Sequence, residues 1–277
     1  MLGALIIVFR EVLEAGLIIG IVMAATRGVV GRGRWINIGI IGGILGATVV
    51  AGFAGVISQA FEGAGQELFN ASVLGIAVVM LMWHNPWMAR HGREIAAEMR
   101  HVGSAVSAGA KPLTALAIVV GLAVLREGSE VVLFLYGIVA TGTSASALLL
   151  GGALGVAAGA AFTALTYYGL ISIPARHIFT VTTVLIALLA AGMAAQAVQF
   201  LDAAGVIHVL GQRLWDSSAW LPQDGVIGRL LHTLVGYTDR PTELQLAAYL
   251  GTLAAMAALT WTVGRSPSPV RERTAVR

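Results

Sequence analysis

Long apolar runs separated by short charged or polar segments dominate this sequence. Seven of the runs are about 20 residues long, which is the length an α-helix needs to cross the hydrocarbon core of a bilayer. They cover residues 2–26, 36–59, 67–84, 113–140, 147–173, 178–201 and 243–264. The pattern therefore predicts an all-α fold, a polytopic membrane protein with seven transmembrane helices.

The seven runs and their connections form one predicted transmembrane domain, residues 1–265. Within it, residues 202–242 are a predicted external segment between the sixth and seventh runs, and helix seven covers residues 243–264. Residues 266–277 are small and basic, and are predicted to be a disordered cytoplasmic tail. Met1 leads directly into apolar residues, so the first run is interpreted as a retained helix rather than a signal peptide.

The composition agrees with a membrane protein and excludes several other classes. Hydrophobic residues make up 57% of the chain and charged residues 11%, about half the charged share of an ordinary soluble domain. The formal net charge of +3 comes from basic residues spread over several connections, so no nucleic-acid-binding patch is expected. The sequence contains no cysteine, which excludes disulfide and thiol chemistry.

Basic residues predict the orientation, because Lys and Arg accumulate in cytoplasmic connections. They follow the first, third, fifth and seventh runs, whereas the other connections are acidic, small or balanced in charge. This predicts an external N-terminus and a cytoplasmic C-terminus in the cytoplasmic membrane. The residues concerned are Arg27, Arg32, Arg34, Arg90, Arg93, Arg100, Lys111, Arg176, Arg265, Arg271, Arg273 and Arg277.

Two charged motifs interrupt the first and fourth apolar runs. One reads Arg-Glu-Val-Leu-Glu over residues 10–14, and the other reads Arg-Glu-Gly-Ser-Glu over residues 126–130. Residues three or four apart share a helix face, so the two glutamates of each motif project together. A single ionised side chain near the bilayer centre costs roughly 2.5–3.5 kcal/mol, so these charges need partners.

The carboxylates of the two motifs outnumber the arginines, which leaves a formal excess of about two negative charges. A bound cation is the simplest further partner, and carboxylate oxygens suit hard cations and iron. Structural salt bridges between helices are the competing interpretation. The predicted metal ligands are Glu11, Glu14, Glu127 and Glu130, with Arg10 and Arg126 as supporting charge partners.

The first six runs are predicted to form two copies of a three-helix unit, residues 2–88 and 113–201. Each copy begins with the charged motif, and its second helix carries a glycine block. Because three spans is an odd number, the copies must be inverted, an arrangement that places binding sites near the membrane midplane. The glycines are expected only to pack helices closely. They are Gly39, Gly42, Gly43, Gly46, Gly151, Gly152, Gly155 and Gly159.

Several further residues are weaker candidates. Glu62 and Glu67 could collect cations outside the membrane, although helix capping or solvation competes as an explanation. Ser129 lies between two motif glutamates and could offer its hydroxyl or hold a water. The acidic residues of the external segment are interpreted as a solvated loop rather than a recruiting surface. The histidines show no paired ligand spacing and are interpreted as interface or loop residues; they are His84, His91, His101, His177, His208 and His232.

A membrane enzyme with a two-metal oxidase centre is the alternative from another class. Di-iron bundles usually add Glu-x-x-His motifs from other helices. No such motif lies within the seven apolar runs. A transporter is therefore favoured, and no enzymatic activity is expected.

The sequence resembles the oxidase-dependent high-affinity iron permeases, also called the iron/lead transporter family, and looks like a bacterial-type member. Arg-Glu-x-x-Glu in the first and fourth membrane helices is the hallmark of that family. The resemblance extends over nearly all of residues 1–265. Further matching stretches are Gln66-Glu67-Leu68-Phe69, Trp83-His84-Asn85, and Trp215-Asp216 onward through Gly236-Tyr237 to Pro241.

The resemblance implies uptake of iron across the cytoplasmic membrane, with the motif glutamates as ligands and iron as substrate rather than a permanently bound cofactor. It implies ferric iron delivered after oxidation of ferrous iron. The partner would be a periplasmic or extracellular oxidase, a cupredoxin-like protein or a haem peroxidase. Another metal cation such as lead or manganese is the alternative substrate. The chain has Asn70, Gln199 and Phe200 where many members have acidic or histidine residues.

Overall fold

The computed structural model describes residues 1–60, 65–169 and 175–265, which form eight α-helices. The predicted all-α class is therefore confirmed for the described residues. Glu62 and the predicted tail, residues 266–277, lie outside them. The helices are α1 (Leu2–Ala25), α2 (Arg32–Ala60), α3 (Gln66–Ser107), α4 (Thr114–Ala140), α5 (Ala145–Tyr167), α6 (Ala175–Ala203), α7 (Val226–Val235) and α8 (Glu243–Arg265).

Helices α2, α3, α5, α6 and α8 each contain a stretch long and apolar enough to cross a bilayer. The chain is thus a multi-pass membrane protein. Helices α1 and α4 have 24 and 27 residues, which is sufficient length, but each carries the three charged residues of its motif. The two helices that carry the candidate chemistry are therefore the two that depart from ordinary spans.

Helix α3 does not end where the apolar pattern predicted. The third span was expected to end at His84, yet the helix continues through Pro86 to Ser107 and has 42 residues. Residues after Pro86 include many good helix formers, such as Ala, Glu, Met and Arg. The C-terminal end of α3 docks on α1, where the Ser107 hydroxyl donates to the Ala25 carbonyl at 2.9 Å. The predicted loop after the third span is therefore mostly helical.

The segment between α6 and α8 is structured, so its interpretation as a solvated loop was incomplete. It contains α7, and two of its acidic residues, Asp216 and Asp239, make local contacts. The hydroxyl and backbone N–H of Ser218 donate to the Asp216 carboxylate, and Arg240 pairs with it at 3.0 Å. These contacts lower the pKa of Asp216 to about 2. Asp239 accepts a bond from the backbone N–H of Gln223.

The helices pack in pairs around a central contact between α1 and α4. Helix α2 lies along α4, α5 lies along α1, and α3 packs against α6. Helix α8 covers α6 and part of α3. The two motif-bearing helices therefore lie inside the bundle, each flanked by the second helix of the other predicted repeat.

Glycines make the same close contact in both flanking pairs. A Cβ added at Gly43 would lie 2.6 Å from the Cβ of Val124, and one added at Gly155 would lie 2.9 Å from the Cβ of Val8. Val8 and Val124 each lie two residues before the arginine of their motif. The expectation that the glycines serve packing is confirmed for Gly43 and Gly155, but a Cβ added at Gly152 would meet nothing within 4 Å. Gly42 likewise has nothing within 4 Å of an added Cβ.

Replacing Gly43 with alanine is expected to destabilise the protein by about 1–3 kcal/mol, because the added methyl overpacks the α2–α4 contact. Gly42→Ala on the same helix is the matched control. It adds the same methyl in open space and is expected to be neutral or slightly stabilising, because alanine favours a helix more than glycine does. Thermal unfolding of the two purified variants in one detergent checks this. Equal unfolding temperatures would contradict the packing role of Gly43.

Candidate metal site

The first motif forms a sealed cluster of charges on α1. Arg10 Nη1 lies 3.0 Å from Glu11 Oε1, and Arg10 Nη2 lies 2.8 Å from Glu14 Oε1. All three side chains are buried. The planar guanidinium thus contacts two carboxylates that lie on one helix face, as the spacing of the motif predicted.

The second motif has a more open environment on α4. Arg126 Nε lies 3.4 Å from Glu130 Oε1 and 3.8 Å from Glu127 Oε1. The Arg126 side chain is 38% exposed, whereas the Arg10 side chain is 3% exposed. Its guanidinium carbon lies 4.6 Å from the centre of the Trp87 ring, in a cation–π contact. The two motifs match in sequence but differ in their access to solvent.

The two motifs meet in the interior of the bundle. Glu11, Glu127 and Glu130 each present a carboxylate oxygen, and His84 presents a ring nitrogen, so that the four atoms lie within 4.8 Å of one another. All four residues are buried. Three of the four predicted ligand glutamates are therefore close enough to share one metal ion.

Glu14 lies beside this group rather than inside it. Its Oε1 is paired with Arg10, and its Oε2 lies 3.6 Å from His84 Nε2. His84 Nδ1 lies 2.7 Å from Glu130 Oε2. The imidazole of His84 therefore stands between a glutamate of one motif and a glutamate of the other.

His84 is the residue that sequence reasoning missed. It was interpreted as an interface or loop residue because the histidines show no paired spacing typical of metal ligands. This interpretation was wrong, because α3 continues past His84 and the His84 side chain is only 6% exposed. Extending the helix through Pro86 would have placed an ionisable residue at depth in the membrane, which is the signal of a functional site.

The buried carboxylates are short of hydrogen-bond donors. Although His84 Nδ1 is close to Glu130 Oε2, the two groups are not aligned for a hydrogen bond. An unpartnered buried carboxylate is strongly disfavoured, and a cation relieves this. Oxygen and imidazole donors together suit a first-row transition metal. The buried oxygens without a hydrogen-bond partner among the described residues are Glu11 Oε2, Glu14 Oε2, Glu127 Oε1, Glu127 Oε2 and Glu130 Oε2.

The weaker candidates lie outside this group. The Ser129 hydroxyl donates to the Leu125 carbonyl of its own helix at 2.7 Å, so its proton is already used. Glu67 is exposed in the first turn of α3, where an acidic residue favours the helix dipole. Gln199 accepts a hydrogen bond from Gln245 and so links α6 to α8. Phe200 packs against the apolar core, and Asn70 is partly buried on α3.

One Glu-x-x-His pattern does occur in the chain, outside the predicted spans. Its members, Glu98 and His101, lie on the extended C-terminal half of α3, and both are exposed. They are not part of the buried group of ligand atoms. The pattern therefore adds no ligand to the candidate site.

A cavity of about 550 Å³ lies beyond one end of the buried group. It is bounded by the start of α1, the turn between α4 and α5, α6 and α7, and its lining includes Gly3 and Ile138. Ile7 and Phe134 lie between these positions and the motifs along α1 and α4, and both are fully buried. An apolar layer thus separates the cavity from the carboxylates.

Comparison with known proteins places the chain in a family. Residues 1–264 match the profile of the "Iron permease FTR1 family". The chain belongs to this family. The match covers both motifs and every helix except the last residue of α8.

Individual members of the family can be aligned with this chain over most of their length. The chain is 33% identical over 249 residues to "Ferrous iron permease EfeU" of Escherichia coli O6:H1, covering 88% of this chain and 89% of the relative. It is 32% identical over 248 residues to the protein of that name in Shigella sonnei, with the same two coverages. A Shigella flexneri serotype 5b relative of the same name is 33% identical over 185 residues, 66% of this chain and 78% of the relative. No solved structure matches the chain.

Proposed function

We propose that this protein is an iron permease that moves iron across the cytoplasmic membrane through a site formed by the two Arg-Glu-x-x-Glu motifs. The observation that carries the proposal is the convergence of Glu11, Glu127 and Glu130 with His84, whose ligand atoms lie within 4.8 Å of one another in a buried region. Family membership and the names of the relatives support iron as the substrate. Iron would pass through the site as cargo, and no permanently bound cofactor is proposed.

In this proposal α1 and α4 also cross the membrane, which gives seven spans. The motifs lie near the middle of both helices, so the charged groups would lie near the bilayer midplane. Two inverted three-helix repeats account for the reciprocal packing of α2 on α4 and α5 on α1. The matching contacts of Gly43 and Gly155 support the same relation.

The arginines balance charge and hold the carboxylates in position while no ion is bound. Arg10 contacts Glu11 and Glu14, and Arg126 contacts Glu127 and Glu130. Iron would replace its hydration oxygens with carboxylate oxygens that lack donors, and Glu14 would orient His84 as an outer partner of the site. Movement of one repeat against the other would then open the site to the cytoplasm.

Iron would reach the site from the cavity beside Gly3 and Ile138 after the apolar layer of Ile7 and Phe134 opens. The predicted external N-terminus puts this cavity on the outer face. Inward movement of a cation then gains about 2.3 kcal/mol per charge for each 100 mV of membrane potential. The membrane potential therefore favours uptake in the proposed direction.

One uptake experiment would determine the oxidation state of the transported iron. The sequence resemblance favours ferric iron supplied by a partner oxidase, whereas the imidazole nitrogen of His84 and the names of the relatives favour ferrous iron. Proteoliposomes with an inward-negative potential would be given radioactive iron either under ascorbate or as ferric citrate. Accumulation of neither form in sealed vesicles would remove the permease proposal.

An assay of ferrous iron oxidation by the same purified protein distinguishes a transporter from an oxidase. A permease takes up iron without multiple turnovers of ferrous iron oxidation when no partner is present. Repeated oxidation of ferrous iron by detergent-solubilised protein, with no accumulation in vesicles, would favour a membrane oxidase instead. A cupredoxin-like protein, haem peroxidase or other oxidase would act as a separate partner in the proposed scheme.

Replacing His84 with glutamine is expected to weaken metal binding by about 10–100-fold, because the imidazole nitrogen is lost while a polar side chain is kept. His101→Gln is the matched control, since His101 is an exposed histidine on the same helix. Calorimetric titration with manganese, which remains divalent in air, checks the prediction. Unchanged manganese affinity in the His84 variant would exclude this histidine from the site.

A further inference from the structure

A groove of about 660 Å³ lies between α2 and α5, with α1 and α4 forming its floor. Its walls are almost entirely apolar. Ile44 and Val156, on opposite walls, are half exposed, as expected of side chains that face the hydrocarbon of the bilayer. The groove has the size typical of small-molecule sites and opens sideways toward lipid.

Two carboxylates lie at the floor of this groove. Glu11 and Glu127 belong to its lining, although they are only 1% and 2% exposed. Glu11 Oε2 and both carboxylate oxygens of Glu127 have no hydrogen-bond partner among the described residues. The hydroxyl oxygen of Thr163, which also lines the groove, is buried without a partner. Unpaired acceptors therefore lie buried directly beneath the floor of an otherwise apolar groove.

We propose that this groove binds an organic cation that has a primary ammonium group and an apolar tail. The ammonium would donate hydrogen bonds to the free oxygens of Glu11 and Glu127, and the tail would lie against the walls formed by α2 and α5. Such a ligand combines charge complementarity with apolar contact, whereas a lipid acyl chain has no donor at this depth. The site is reached from the bilayer rather than from the cavity beside Gly3.

The proposed amine site has a function other than iron transport. It nevertheless shares the carboxylates of Glu11 and Glu127 with the proposed iron site. Binding of the amine and binding of a metal ion are therefore mutually exclusive. The groove itself supplies the tail contacts, and those contacts have no part in the proposed iron path. Variants of the groove wall thus separate the two functions.

The test measures binding of radiolabelled decylammonium to the full chain in lipid nanodiscs. We expect saturable binding of one amine per chain and at least tenfold weaker binding to Glu127→Gln. Ala160→Phe fills the groove from α5 and is expected to lose binding to a similar extent. Ala158→Phe is the matched control, because Ala158 is exposed on the same helix but does not line the groove. Folding of each variant is checked by gel filtration.

Two competitors identify the chemistry that is recognised. Unlabelled decyltrimethylammonium, which has the charge but no N–H donor, is expected to compete at least tenfold less well than decylammonium. Decan-1-ol, which has the tail but no charge, is expected not to compete. Equal competition by decan-1-ol, or unchanged binding to Glu127→Gln, would show an apolar lipid site and overturn the proposal.

Iron uptake distinguishes failure of this inference from failure of the proposed function. Ala160→Phe is expected to retain iron uptake while losing the amine. If Glu127→Gln transports iron normally but loses decylammonium, the iron site is wrong and the amine site stands. If Ala160→Phe binds decylammonium as well as the unmodified protein does, the groove is not the amine site.

Discussion

Replacing Glu127 with glutamine is expected to lower iron uptake by at least about tenfold. Both oxygens of this carboxylate are buried without a hydrogen-bond partner among the described residues, and they lie in the group that brings the two motifs together. Glutamine keeps the size of the side chain but removes its charge, so a cation loses a ligand that no neighbour replaces. Loss of even an outer partner of a metal site costs about 10–100-fold in affinity, and Glu127 is proposed as a direct ligand.

The measurement is initial uptake of radioactive iron into proteoliposomes that contain equal amounts of each variant. Glu67→Gln makes the same chemical change at an exposed position in the first turn of α3 and is expected to behave as the unmodified protein. Uptake by Glu127→Gln at the rate of this control would exclude Glu127 from the iron site. The description of the fold does not depend on that result.

Replacing Arg10 with methionine is expected to be the most destabilising change, with a loss of about 3–5 kcal/mol. Arg10 is buried and contacts two buried carboxylates, Glu11 at 3.0 Å and Glu14 at 2.8 Å. Methionine retains much of the volume but leaves both carboxylates without their cation. Breaking a buried pair from one side is costly because the remaining charge has no partner.

Thermal unfolding at a fixed heating rate checks this prediction. Arg126→Met is the matched control, because Arg126 is 38% exposed and lies farther from its carboxylates, at 3.4 Å from Glu130 and 3.8 Å from Glu127, so a smaller loss is expected. The double variant Arg10→Met with Glu14→Gln is expected to be less destabilised than the sum of the single changes, since it removes charge on both sides of the pair. Equal effects at Arg10 and Arg126 would show that the difference in burial does not matter.

The difference between the two arginines also bears on transport. The proposed orientation puts Arg126 and Trp87 on the cytoplasmic side of the carboxylates, and Arg126 is the only one of the two motif arginines with substantial exposure. On the opposite side, Ile7 and Phe134 are fully buried. In the proposed orientation, the residues next to the carboxylates are therefore more exposed on the side of Arg126 than on the side of the cavity.

Much of the fold was predictable because the bilayer limits what a spanning segment is made of. Apolar runs of about 20 residues located α1, α2, α4, α5, α6 and α8 to within several residues. The end of α3 was not predictable from hydropathy, because Pro86 and the charged residues after it are typical of a span end. Local helix propensity and docking on Ala25 extend the helix where hydropathy does not.

Residue types and their spacing show that charged motifs recur in two apolar helices, that each motif presents its glutamates on one face, and that the carboxylates exceed the arginines. These properties depend only on residue type and on the period of the helix. They led to the prediction of a cation site, and the resemblance to the iron permeases added iron as the substrate.

Tertiary packing, by contrast, selects the groups that share one position. It brought Glu11 of α1, Glu127 and Glu130 of α4, and His84 of α3 within 4.8 Å, and left Glu14 beside them with Arg10. Contacts between residues far apart in sequence depend on how helices pack, and the glycines of α2 and α5 allow those two helices to approach α4 and α1 closely. Helical periodicity gives the face of each helix, but it does not specify which faces meet.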